Sequence, residues 1–173
     1  MKTPAILLVE DNAQDEALFL RAIKRLGRQC NVIVLRDGQQ ALDYLFATGD
    51  FAPNLTTELP AIVVLDIGLP RLSGIDVLKR LRTTIRTSAL RIIMFSSSDV
   101  ESDRIAGFRN GADGYVVKPI NFHEYNNAVR GMLEYWLCQC QSDELHCHNG
   151  GPGHPCCNSR TPYRPDPSQY EGA

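Results

Sequence analysis

Five short apolar runs, Ala5–Val9, Val32–Leu35, Ile62–Leu65, Ile92–Phe95 and Tyr115–Val117, recur along the chain almost without polar alternation. A strand with one wet face alternates apolar and polar residues, so runs of this kind are strands covered on both faces. Between them lie segments of helical period, such as Phe19, Ala22, Ile23 and Leu26, then Ala41, Leu42 and Leu45. Asp37 and Ser73 stand as helix N-caps, and Ser98 with Glu101 and Asn121 with Glu124 have capping-box spacing. Strand and helix therefore alternate five times, which predicts an open parallel sheet with helices on both faces and right-handed crossovers. In such a sheet the site lies beyond the carboxyl ends of the strands, near the switch in strand order.

Polar residues finish four of these runs. Glu10 and Asp11 follow the first, Asp66 the third, Ser96 the fourth and Lys118 the fifth. Alone, each has an ordinary reading: Glu10-Asp11 as a solvated helix start capped by Asn12, Asp66 as a turn former, Ser96 as a loop serine, Lys118-Pro119 as a strand terminator. Together they bring three carboxylates, a hydroxyl and an ammonium to one edge. Carboxylates so gathered repel one another unless a divalent cation joins them, and Mg²⁺ is a hard cation that favours oxygen ligands. This is equipment for holding Mg²⁺ and accepting a phosphoryl group.

The pieces that carry the site also carry a resemblance. They are Leu8-Val9-Glu10-Asp11-Asn12, Leu65-Asp66-Ile67-Gly68-Leu69-Pro70 with Ser73-Gly74, Phe95-Ser96-Ser97-Ser98, and Gly111-Ala112-Asp113-Gly114-Tyr115-Val116-Val117-Lys118-Pro119. Over roughly residues 3–137 the chain resembles the receiver domain of two-component response regulators. The resemblance implies a flavodoxin-like (βα)₅ fold, doubly wound, with strand order 2-1-3-4-5. It makes Asp66 the phosphoacceptor, with Glu10, Asp11, Asp66 and the Gly68 carbonyl around Mg²⁺, Glu10 through water. Lys118 and Ser96 become the groups that meet the phosphate. Tyr115 takes the position of an aromatic that turns inward on activation, against the simpler reading of a core tyrosine. Ser96 replaces the commoner threonine, which keeps the hydroxyl and predicts a less crisp switch, while the small Gly68 and Ser98 predict a labile phosphoryl state.

Bulk properties limit the other readings. With 173 residues, 43% hydrophobic and 22% charged, the chain has the content of one domain with a real core. Formal net charge is −2 and no Lys/Arg block occurs, which argues against nucleic acid as a partner. The first apolar run is too short for a signal-peptide core, and nothing approaches the ~18 apolar residues of a membrane span, so a cytoplasmic protein is expected. The receiver domain is expected over 1–138, without an output domain after it. Residues 139–173, rich in Cys, His, Gly and Pro, are expected to form a tail with little fixed structure. Cys138 at the boundary and the tail's Cys140, His146, Cys147, His148, His154, Cys156 and Cys157 match none of the usual zinc spacings.

The ending Gly131–Leu137, with Val9–Asn12 and the long polar connection Thr48–Leu59, resembles the single-domain subgroup that serves phytochrome-type and other sensor histidine kinases. The partner is then a sensor kinase, the chain a phosphorylated switch or relay rather than an enzyme. The stripe Phe122, Tyr125, Val129, Met132, Leu133, Trp136 and Leu137 also offers a surface for a homodimer. Two rival readings are a receiver fold used as a phosphate-independent binding module, and a metal or redox sensor working through the tail.

Overall fold

The computed structural model describes residues 3–27, 29–54 and 58–145. Its elements run β1 (Ala5–Val9), α1 (Ala13–Arg25), β2 (Asn31–Leu35), α2 (Gly38–Phe46), β3 (Ile62–Leu65), α3 (Gly74–Thr83), β4 (Ile92–Ser96), α4 (Glu101–Arg109), β5 (Gly114–Val117) and α5 (Phe122–Leu145). The five strands form one sheet in the order β2-β1-β3-β4-β5, every pair parallel. The flavodoxin-like order expected from the resemblance is therefore the one observed. A 3-10 turn, Gly49–Asn54, occupies part of the long connection before β3.

Strand pleating sends alternate residues to opposite faces, and each face has its own apolar cover. Ile6, Leu8, Ile62, Val64, Ile93, Phe95 and Val116 pack under α1 and α5, against Phe19, Ala22, Ile23, Tyr125, Val129, Met132 and Leu133. Leu7, Val9, Val63, Leu65, Ile92 and Met94 pack on the other side against Leu42 and Leu45 of α2, Val77, Leu78 and Leu81 of α3, and Tyr115. β3 and β4 are buried along their whole length and β1 from Ile6 onward, which is why their sequences lack alternation. Each fully buried leucine or isoleucine contributes roughly 1.5–3 kcal/mol relative to exposure.

The cap residues behave largely as the sequence predicts. Asp37 accepts from the Gln40 N–H at the start of α2, Ser73 from the Asp76 N–H at α3, and Asn121 from the His123 N–H at α5. Ser98 departs from expectation. The residue before α4 is Val100, which makes no side-chain cap, while the Ser98 hydroxyl donates to Asp103 at 2.6 Å and accepts from the Val100 N–H. α4 begins at Glu101, so Ser98 stands two residues before the cap position and its hydroxyl ties the preceding loop to Asp103 instead.

α5 also runs further than composition suggests. Its backbone is helical to Leu145, so residues 139–145 extend the last helix instead of opening the tail. Gln, Glu and Leu in that stretch are good helix formers, and the first glycine comes only at Gly150. The remaining tail, 146–173, with His146, Cys147, His148, His154, Cys156 and Cys157, lies outside the described residues. The apolar stripe of α5 is consumed within the chain: Tyr125, Val129, Met132, Leu133, Trp136 and Leu137 are all buried. Among the described residues no helix is long and apolar enough to cross a membrane.

Candidate functional site

Sheet register assembles the site. Val9 and Leu65 are direct partners across β1 and β3, so Glu10 and Asp66 emerge side by side at the carboxyl edge. Ladder hydrogen bonds continue one residue past the strands: Glu10 N–H donates to the Leu35 carbonyl (2.9 Å), Asp66 N–H to Val9 (3.1 Å) and Lys118 N–H to Ser96 (2.8 Å). The polar residues are therefore held by the sheet itself, at the point where the chain crosses from one side of β1 to the other. Glu10, Asp66, Ser96 and Lys118 are all buried, while Asp11 is exposed.

Local turns finish the positioning. Asn12 caps α1, accepting from the Gln14 and Asp15 N–H groups, and donates its own N–H to Glu10 Oε1 at 3.1 Å. The helix-cap reading of Asn12 is therefore the one observed, and it leaves the Glu10 carboxylate at the sheet edge. Asp66 Oδ1 accepts the N–H of Ile67 at 2.7 Å. Gly74 opens α3 directly against the same turn, where a Cβ would stand 2.0 Å from the Asp66 carbonyl oxygen. Gly68 lies beside the other oxygen, with a Cβ position 3.8 Å from Asp66 Oδ2.

Lys118 is the hub of the electrostatics. Its Nζ lies 2.6 Å from Glu10 Oε2, 2.9 Å from Asp15 Oδ2 and 3.2 Å from Asp66 Oδ2. Burial alone would lower the ammonium's pKa, but the hydrogen bonds to Glu10 and Asp15 and the Asp66 charge outweigh it and hold Lys118 above its ordinary value. Burial pushes Glu10 up, with Asp66 adding to the rise and Lys118 opposing it.

One carboxylate oxygen each from Glu10, Asp11 and Asp66 lies within 4.8 Å of the others. An all-oxygen set with a net negative charge suits a hard divalent cation. Glu10, Asp11 and Asp66 fit that demand. Gly68 follows Asp66 by two residues, in the loop from which a backbone carbonyl could join them.

Ser96 and Tyr115, expected from the sequence to take part in switching, lie on the neighbouring strands. Ser96 Oγ accepts the Ser98 N–H at 3.3 Å, which shapes the loop after β4. Tyr115 is turned inward and buried, its ring packed beside Gly107 and Met94, and its hydroxyl donates to the Ser98 carbonyl at 2.9 Å. Burial, with the charge of Asp103 nearby, holds the phenol above its ordinary pKa, so it stays a donor. Tyr115 is thus a core tyrosine by burial and a loop contact by its hydroxyl.

Two residues of the site escape sequence reasoning. Asp15, in the first turn of α1, reaches Lys118 more closely than Asp66 does. Tyr125 of α5 donates its hydroxyl to the Asp15 carbonyl at 3.2 Å, and burial drives its pKa far above the usual phenol range. The available signal was an acid at the third position of a capped helix, which ordinarily means only a charge near a helix start. Conversely, Asp113 of the motif before β5 plays no part in the site: it accepts from the Ile92 N–H and from Arg82, both at 2.8 Å, and ties α3 to the sheet.

The model of the response regulator receiver domain family matches residues 6–130. FilR2 of Methanothrix harundinacea, a probable methanogenesis regulatory protein, is 35% identical over 132 residues, covering 76% of this chain and 83% of its own length. CpxR of Escherichia coli, a transcriptional regulatory protein, is 36% identical over 85% of this chain, which spans only 56% of CpxR. Among solved structures, the phosphorylated cyanobacterial phytochrome response regulator RcpA superposes with a TM-score of 0.73 at 28% identity, over 79% of this chain and 95% of that one. The Mn²⁺-bound form of response regulator Rcp1 gives 0.71 at 28% identity, over 78% and 94%.

Proposed function

The chain belongs to the response regulator receiver family, and from that premise we propose that it accepts a phosphoryl group on Asp66 from a sensor histidine kinase and carries it as a signal. One observation supports this most: a buried Asp66 whose carboxylate stands 3.2 Å from the Lys118 ammonium on one side and within 4.8 Å of the Glu10 and Asp11 oxygens on the other. In the transfer, a bond forms from an Asp66 oxygen to phosphorus while the bond from phosphorus to the donor imidazole nitrogen breaks. The imidazole then takes a proton from water. Positioning and charge neutralisation are the main contributions a protein makes to such a step.

Each residue has a defined part. Glu10, Asp11, Asp66 and the Gly68 carbonyl would hold Mg²⁺, which when bound would offset the negative charge of carboxylates and phosphoryl oxygens. Lys118 passes one N–H from Asp66 to a phosphoryl oxygen. Ser96 gives its hydroxyl to another and stops accepting from the Ser98 N–H, which shifts the loop after β4 to which Tyr115 is bonded. Two loop arrangements are thereby given different affinities for phosphate, as any ligand-driven switch requires. The chain assists its own phosphorylation and dephosphorylation and is not otherwise an enzyme. Gly68 leaves space above Asp66 Oδ2, which supports a phosphoryl state open to attacking water.

The likeness to the phytochrome response regulator RcpA supports a phytochrome-type kinase as partner, working in the cytoplasm. A homodimer would use the outer face of α5, because the Tyr125–Leu137 stripe is already covered. Incubation with acetyl phosphate and Mg²⁺, followed by intact mass, tests the reading. One phosphoryl addition is expected, absent in Asp66→Asn and without Mg²⁺. No addition, with no binding of beryllofluoride, would leave a phosphate-independent binding module.

A further inference from the structure

The Lys118 ammonium has three protons and three carboxylate neighbours, and the acceptor is the most distant of them: 2.6 Å to Glu10, 2.9 Å to Asp15, 3.2 Å to Asp66. On the premise that Asp66 accepts the phosphoryl group, we propose that Asp15 is a positioning residue that, with Glu10, clamps the Lys118 ammonium at two points. The third N–H is then left to pass from Asp66 to the incoming phosphoryl oxygen without the ammonium moving away.

A lysine ammonium is a point charge on a four-carbon stem, and one anchor leaves it free to sweep. A second anchor removes that freedom before the substrate arrives, which is the general source of rate from positioning. Asp15 is itself well fixed. Its backbone N–H donates to the Asn12 cap, and its carbonyl accepts from Tyr125, a buried ring packed 5.3 Å from Phe95. The acidic cluster that suits a cation comprises Glu10, Asp11 and Asp66. Asp15 is the partner of Lys118 that stands outside it, so it keeps its hold when a cation draws on Glu10.

The competing explanation is that Asp15 serves only as an acid near a helix N-terminus. Glu16, in the same turn, supplies the control, since it pairs with Arg36 and not with Lys118. The experiment is the time course of phosphoryl addition from acetyl phosphate at saturating Mg²⁺, by intact mass, on the full chain and on Asp15→Asn, Asp15→Glu and Glu16→Gln. Mg²⁺ half-saturation and thermal midpoint are measured alongside.

Asp15→Asn is expected to slow addition about tenfold, with Mg²⁺ half-saturation within about twofold of the unaltered chain. Asp15→Glu restores the charge and brings the rate back to within about threefold, and Glu16→Gln leaves it unchanged. The inference is overturned if Asp15→Asn reacts at the unaltered rate. It is equally overturned if Asp15→Glu is as slow as Asp15→Asn, or if Glu16→Gln slows to match. If the unaltered chain takes no phosphoryl group, the premise fails and the inference with it, a result distinct from the others.

Discussion

Lys118 is buried with a 5% exposed side chain among three acids, and Glu10 is still more deeply buried at 2%. Removing one member of such a set strands the others, which in buried pairs costs about 3–5 kcal/mol. Lys118→Met is therefore expected to lower unfolding free energy by about 3 kcal/mol without divalent cations. Mg²⁺ should recover part of the loss, because the cation takes over compensation of the stranded carboxylates. Urea denaturation in chelator and in Mg²⁺ checks both halves. A variant as stable as the parent in chelator would mean that the three contacts to Lys118 cancel against its desolvation.

Gly74 makes the complementary case at the same scale. A methyl group there would meet the backbone oxygen of Asp66 at 2.0 Å, and backbone cannot rotate aside as a side chain can. Gly74→Ala is expected to cost about 3 kcal/mol by urea denaturation, the upper end of overpacking penalties. It should also lower phosphoryl addition, since the atom it displaces belongs to Asp66, the proposed acceptor. Full stability in Gly74→Ala would show that α3 can slide away from the turn.

At the scale of elements, Asp37 joins two of them. It caps α2 through Gln40, and its carboxylate is paired with Arg71 from the loop between β3 and α3. Burial would raise its pKa, but the cap hydrogen bond and Arg71 outweigh it and hold the carboxyl below its ordinary value. A depressed folded-state pKa means that its contribution is present above the unfolded pKa and is lost as pH falls through the folded one. Asp37→Ala is thus expected to cost about 1–2 kcal/mol near neutrality, and the difference from the parent should shrink below about pH 4. A gap that stays constant to lower pH would assign the loss to packing.

Strand ends and most caps were legible because each is decided within a few residues. Glu10, Asp66, Ser96 and Lys118 were found by noting where apolar runs stop, and Asp37 and Ser73 by what precedes a helical period. Ser98 was misread because α4 starts two residues later than the Ser98–Glu101 spacing suggests, which leaves Val100 at the cap position. The end of α5 was misread because a change in composition is not a helix breaker. Asp15 and Tyr125 were invisible for a different reason: their contacts join segments more than 100 residues apart, as the 2.9 Å pair from Asp15 to Lys118 does. Periodicity reports which face a residue occupies, and nothing about what the facing element presents.

For the whole molecule, the proposed cation ligands follow the ends of β1 and β3, and the ammonium beside them follows β5, with both faces of the connecting sheet packed. No local unfolding event can separate Glu10 from Asp66 without opening the ladder between β1 and β3, so occupancy of the site must couple to global stability. A ligand that binds only the folded chain adds RT ln(1 + [L]/Kd), about 2.7 kcal/mol at 100 times Kd. Asp11→Asn separates this gain from the repulsion that precedes it. Asp11 is exposed and outside the apolar core, so without cations the variant should be more stable than the parent, having lost one of three mutually repelling charges. In Mg²⁺ at about 100 times the parent's Kd the parent should gain about 2.7 kcal/mol and the variant far less, and the order should reverse. Urea midpoints of the two proteins in chelator and in Mg²⁺ give the four values required. Parallel shifts would place the cation elsewhere; a reversal would mean that the carboxyl edge destabilises the empty fold and that the cation offsets this when it binds.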